Sequence, residues 1–166
     1  MELSYVGLVD IRDKNDAAVA PVESGRFVMY VDHTYTVDYD GIILRPTSHI
    51  TLKADWQKVV CQEVKALWDT GSTQSCISRR MAEKMGLKEV DTRMNITASG
   101  AIEAKIYRLD VEIVDDLVFP DLKVVEYPLE KHDVDFLIGM DIISRGTLIL
   151  KCNNGKTQLS FTLNDT

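Results

Sequence analysis

The sequence predicts a mostly β protein. Short apolar runs with period-two alternation recur from residue 49 onward, bounded by turn residues. Helical spacing appears only twice, in short pieces. The last such pair of runs flanks Asn153-Asn154-Gly155, a strong signal for a type I′ hairpin. With 166 residues and 45% hydrophobic content, the chain is long enough to bury one core of ordinary size.

In chain order, residues 1–45 read as a polar, acidic extension of unknown role, and Pro46 as a boundary before a domain over 46–166. Within the extension, "RFVMYV" (26–31) and "GIIL" (41–44) read as strands, and "RDKNDAAVAPVESG" as a loop. A pro-segment, an extra dimer strand and a partner-binding arm all fit the extension. "HITLKADW" and "EVKALW" read as paired strands. In "SRRMAEKMG", Ile77, Met81 and Met85 lie four apart on one helical face, with Ser78 as N-cap and Gly86 just past the end. "MNITA" and the run from Ile102 make a long hairpin with a tip at Ser99-Gly100-Ala101. The apolar phase slips from Ile102, Ala104 and Ile106 to Leu109, Val111 and Ile113, which predicts a bulge or a sharp twist near Tyr107-Arg108. "LKVVEY" and "VDFLIG" are further strands, "MDIISRG" a short helix, and "TLILKC" with "KTQLSFTL" the closing hairpin.

The bulk numbers exclude several functions. A net charge of −7 without a basic stripe argues against nucleic-acid and anionic-membrane partners. No apolar run approaches the roughly 20 residues of a membrane helix. No basic-then-apolar leader is visible at the N-terminus. Cys61, Cys76 and Cys152 are odd in number and widely spaced, which fits reduced thiols in a cytoplasmic protein. The three histidines show no metal-ligand spacing, and no phosphate-loop, dinucleotide or zinc-protease motif occurs. Neither a metal nor a cofactor is expected.

One stretch carries chemistry. "ALWDTGSTQSCIS" (66–78) runs apolar into Asp69 and then into a loop of small hydroxylic residues. Gly71 lets backbone amides approach a carboxylate closely, and Thr70 and Ser72 supply hydroxyls beside it. A carboxylate so held stays ionised when half buried. Ser72 is the hydroxyl expected to donate to Asp69. The plain alternative is a turn with an Asx cap. Trp68 reads as core, Cys76 as a buried thiol, and His132 and Asp133 as a surface loop.

Three features in order resemble the retropepsin-like aspartic proteases, the single-domain, homodimeric relatives of pepsin, over residues 49–166. They are the apolar-apolar-Asp-Thr-Gly-Ser motif at 67–72, the small-tipped hairpin "TASGA" at 97–101, and "FLIGMDII" at 136–143. The resemblance implies a closed β-barrel with a flap hairpin. It implies Asp69 as the catalytic aspartate, Thr70 as the residue that locks two loops across a dimer axis, and Gly71 and Ser72 in the active-site loop. Ala98, Ser99, Gly100 and Ala101 then belong to the flap. Leu137, Ile138, Gly139 and Asp141 form the element that packs behind the loop. Met140 stands where retroviral relatives carry Arg. The sequence holds one Asp-Thr-Gly, so a two-carboxylate site requires a homodimer acting on peptide or protein substrates. A non-catalytic dimer that binds extended peptides is the rival function.

Overall fold

The computed structural model describes residues 34–55, 59–97, 100–129 and 132–164. Ten strands and two short helices occur among them: β1 (Thr34–Tyr39), β2 (Thr47–Asp55), β3 (Val59–Trp68), β4 (Cys76–Ile77), α1 (Arg79–Lys84), β5 (Asp91–Thr97), β6 (Gly100–Val114), β7 (Leu117–Glu126), β8 (Phe136–Ile138), α2 (Met140–Ile143), β9 (Gly146–Asn153) and β10 (Lys156–Leu163).

Six strands close on themselves in the order β2-β3-β8-β4-β7-β6, because β6 returns to pair with β2. Closure removes the free edges that an open sheet would present. β5 hangs on β6 outside this ring, and β1, β10 and β9 form a separate three-stranded sheet. The alternation read from the sequence sets which face is inside. Ile50, Leu52 and Ala54 on β2, and Val64, Ala66 and Trp68 on β3, point inward and are buried. β8 is apolar at every position because both its faces are covered, Phe136 and Ile138 in the main core and Leu137 in a second cluster with Cys76 and Val125, while its edges pair in parallel with β3 and antiparallel with β4.

Trp68 is the junction between barrel and outer sheet. Its indole N–H donates to Ser48 Oγ at 2.9 Å, which satisfies the one polar atom of a buried ring. Its ring lies 5.2 Å from that of Phe161 on β10, which in turn lies 6.4 Å from Phe119 on β7. The Asn154-Gly155 turn forms as expected, with φ of 50° and 72°, the left-handed pair that a type I′ turn demands. α1 also follows expectation. Ser78 Oγ accepts from Met81 N at 3.1 Å, and Gly86 takes φ 62° just past the helix.

Three local expectations need correction. Residues 41–44 form no strand, and Ile42 and Leu44 are exposed. They find no partner strand, and the pairing with β10 is taken instead by Thr34–Tyr39, whose Tyr35, Val37 and Tyr39 face Phe161, Leu159 and Thr157. The expected strand 26–31 lies outside the described residues. Second, no bulge sits at Tyr107-Arg108. The strand changes which face is covered: Ala104 joins a cluster with Cys76 and Val125, while Tyr107, Leu109, Val111 and Ile113 enter the barrel core. The register shifts come later, between Leu109 and Val111 and between Glu112 and Val114. The first lies opposite Pro120, which has no N–H to give, and Asp121, whose N–H goes to Asp110 Oδ1 at 2.8 Å. Third, β5–β6 pairing runs out to Thr97 and Gly100, so Gly100 and Ala101 are strand residues rather than the turn.

Removing the Phe161 ring should weaken the hold of the outer sheet on Trp68, leaving the stacked Tyr35 ring, 6.5 Å away, as the remaining aromatic contact. Phe161→Ala is expected to cost about 3–5 kcal/mol, read as a lowered urea midpoint. An unchanged midpoint would contradict this packing.

Candidate active site

β3 delivers Asp69 to a point where the strand can no longer continue. Its N–H still donates to Ile138 O at 3.0 Å, extending the β3–β8 pairing by one bond. The chain then turns. Ser72 N donates back to Asp69 O at 3.2 Å, and Gly71 N donates to Asp69 Oδ1 at 2.9 Å. Asp69 is therefore an Asx cap and a positioned carboxylate at once. A Cβ on Gly71 would lie 3.1 Å from the same oxygen. Oδ2 has no donor among the described residues. The side chain is half-buried.

The loop is clamped from behind by the segment after β8. Met140 N donates to Ser72 O at 2.8 Å. Gly139 lies so close to the loop that a Cβ on it would sit 2.5 Å from the carbonyl carbon of Gln74 and 2.8 Å from Ser75 N. Only a residue without a side chain permits this approach. Asp141 completes the clamp. Its Oδ2 accepts from Ser75 N at 2.9 Å and its Oδ1 from Ser75 Oγ at 2.7 Å. Ser75 Oγ also accepts from Gly139 N at 3.1 Å. Ser75 is fully buried, so these bonds satisfy groups that water cannot reach. Arg145 Nε donates to Asp141 O at 3.0 Å, and its guanidinium lies over Phe119.

In front of the loop lies a cleft of ≈ 440 Å³. Asp69, Gly71 and Ser72 line it, with Leu67, Leu129 and Leu137 as apolar wall and Tyr127 and His132 beyond. Cys76 is also in the wall, buried. Burial pushes its thiol up to about 11, and the nearby Asp141 carboxylate adds to the rise.

The structure thus gathers Asp69, Gly71 and Ser72 with Leu137 at the cleft, and places Ile138, Gly139 and Asp141 behind it. Thr70 is exposed at the turn of the loop. Ser72 does not do what the sequence suggested. Its hydroxyl donates to Gln74 O at 2.7 Å, not to Asp69. The turn brings the Gln74 carbonyl within its reach, and that oxygen accepts its hydrogen bond. Ala98 and Ser99 lie outside the described residues, and Gly100 and Ala101 open β6. Sequence reasoning passed over Ser75, Tyr127 and Leu129. Ser75 carries a weak signal, a hydroxyl at the foot of the apolar pair Cys76-Ile77. The wall residues carry none, because the loop after β7 has no periodicity.

The described residues thus combine a closed barrel with one Asp-Thr-Gly loop braced by an apolar-apolar-Gly segment. The family model described as Aspartyl protease matches residues 57–142, just over half of the chain, and the protein belongs to that family. Its fold is retropepsin-like. Among solved structures, a retropepsin-like aspartic protease from Rickettsia conorii is 21% identical, with 81% of this chain and 98% of that chain covered and a TM-score of 0.49. The retroviral protease-like domain of Ddi1 from Leishmania major is 22% identical, with 66% and 90% covered and a TM-score of 0.36. No curated protein matches.

Two outcomes follow from this geometry. Gly139→Ala must displace backbone and should cost about 1–3 kcal/mol, whereas Gly41→Ala, with nothing within 4 Å of the added Cβ, should be near neutral; thermal melts of the pair check this. In the native protein, iodoacetamide at neutral pH should label the exposed Cys61 and Cys152 and spare Cys76. Peptide mass mapping reads the order, and equal labelling of Cys76 would contradict its burial.

Proposed function

We propose that the protein is an aspartic endopeptidase acting as a homodimer. The observation that carries this is the Asp69 carboxylate at the floor of the cleft, with Oδ1 fixed by Gly71 N–H and its loop clamped by Gly139. One chain supplies one such carboxylate. A second copy, related by a two-fold axis through the Thr70 turns, supplies the other. Two carboxylates about 3 Å apart cannot both ionise, so the pair shares a proton; the handling of that proton is the known behaviour of aspartic-protease dyads. The ionised member takes a proton from water, the water oxygen attacks the peptide carbonyl, and the protonated member donates to the carbonyl oxygen. Return of protons to the amine releases two peptides. No covalent intermediate forms, and no metal or other cofactor takes part.

In this reading the substrate lies extended between the cleft and the β5–β6 hairpin. Residues Ala98, Ser99, Gly100 and Ala101 act as its flap. Residues 46–166 carry the protease, with β1 added to it from the preceding segment. The reduced, exposed Cys61 and Cys152 fit a cytoplasmic setting.

The test is cleavage of casein across about pH 3 to 8, the range where a carboxylate dyad shares one proton. Asp69→Asn should lower the rate by about 10²-fold or more, and a pepstatin-type inhibitor should block the wild type. Sedimentation should give a dimer. A folded dimer that binds casein peptides without cutting them would replace the protease reading by peptide binding.

A further inference from the structure

Behind the hairpin lies a buried polar contact that the proteolytic reading does not use. β6 changes role at Tyr107. Up to Ile106 it pairs with β5 and forms the hairpin; from Ile106 onward it pairs with β7 as barrel wall. Tyr107 is thus the root at which the hairpin leaves the barrel. It is 5% exposed, yet it carries a hydroxyl. That hydroxyl donates to Glu126 Oε2 at 2.7 Å. Glu126 is itself only 9% exposed, and its Oε1 accepts from Arg79 Nε at 3.0 Å. A buried carboxylate and a buried phenol here satisfy each other, with Arg79 closing the set from the first turn of α1.

The three residues belong to three parts of the site. Tyr107 is the hairpin root. Arg79 follows β4, the strand that emerges from the Asp69 loop. Glu126 ends β7, pairs in parallel with Ile77 of β4, and is followed by Tyr127, which lines the cleft and donates its N–H to Ile77 O at 3.0 Å. We propose that Tyr107 and Glu126 are positioning residues that fix the β5–β6 hairpin over the cleft. Resting on the proteolytic reading, this assigns them to substrate binding rather than to the chemical step.

The physical reason is the stiffness of the contact. A short bond to a buried carboxylate is strong, and losing it leaves an uncompensated oxygen. Burial and the Glu126 carboxylate both push the Tyr107 hydroxyl above its usual range, so it remains a donor at every pH of interest. Tyr107→Phe removes only the donor and keeps the ring. The hairpin is then held by its backbone bonds and by the packing of Ala104 against Cys76 and Val125, and samples more orientations. Substrate has to select the productive one, which weakens binding without altering the dyad.

The experiment compares wild type, Tyr107→Phe, Glu126→Gln and Val124→Ala. Val124 is a buried neighbour across the β6–β7 ladder and controls for simple loss of packing. Amide exchange is followed by NMR in hairpin residues 91–97 and 100–106 and in β2 and β3, and peptide-cleavage kinetics are taken in parallel. In Tyr107→Phe the hairpin amides should exchange about tenfold faster or more, with β2 and β3 unchanged. KM should rise several-fold while kcat stays within about twofold. Glu126→Gln leaves one acceptor oxygen where two donors, Tyr107 and Arg79, now converge, so it should also speed exchange in the hairpin and spare β2 and β3; wild-type hairpin protection in this variant would overturn the role given to Glu126. Acceleration spread equally through β2 and β3, as expected for Val124→Ala, would overturn the proposal. So would an unchanged KM in Tyr107→Phe beside wild-type cleavage. If wild type cleaves nothing, the proteolytic reading fails separately. Exchange then decides the anchor by itself: hairpin-specific acceleration supports it, and uniform or absent acceleration overturns it.

Discussion

The contact between Gly139 and the Gln74–Ser75 backbone governs the rest of the site. Two loops distant in sequence meet there with no side chain between them. Because they meet, Asp69 N–H can reach Ile138 O, Met140 N–H can reach Ser72 O, and Asp141 can take both donors of Ser75. Each bond satisfies a backbone or hydroxyl group that the close approach would otherwise bury unpaired. An unpaired buried group costs about 1–3 kcal/mol, so the hydrogen bonds and the close packing stand or fall together. The position of the Asp69 carboxylate is the sum of these constraints rather than a property of its own turn.

The barrel supplies the rigid frame in which that contact occurs. β8 threads between β3 and β4, so the strand before the loop, the strand after it and the bracing segment share one sheet. Trp68 ends β3 inside the core, anchored by Ser48 and by Phe161. The apolar residue pressed against Asp69 is therefore what stops the loop from shifting inward. The next residue, Asp69, lies at the boundary between that core and the cleft. The carboxylate is held by packing on one side and lines the cleft on the other.

Hydroxyl groups show how context redirects a residue. Ser72, adjacent to Gly71, is spent on the loop itself through Gln74 O. Ser75, three residues on, is the one that locks the loop to Asp141. Both sit in "GSTQS", and nothing local ranks them. Likewise the apolar phase slip at Ile106–Tyr107 implies a bulge only for a strand with one covered face. The strand in fact has two, one beneath the hairpin and one inside the barrel.

Much was legible from the chain alone, because it depends on short-range rules. Alternation fixed β2, β3, β6 and β10. Asn154-Gly155 fixed the closing turn, since few residues accept two left-handed conformations in succession. Ser78, Met81, Met85 and Gly86 fixed α1, and the Asp-Thr-Gly motif pointed to Asp69. Tertiary structure alone decided which strand pairs with β10, where β6 and β7 shift register, which serine holds the loop and which residues wall the cleft. The physical reason is that these choices are made by partners far away in sequence. A strand such as Thr34–Tyr39 is selected over Gly41–Leu44 by the presence of a β10 edge to pair with. Ser75 becomes structural only when Asp141 arrives behind it.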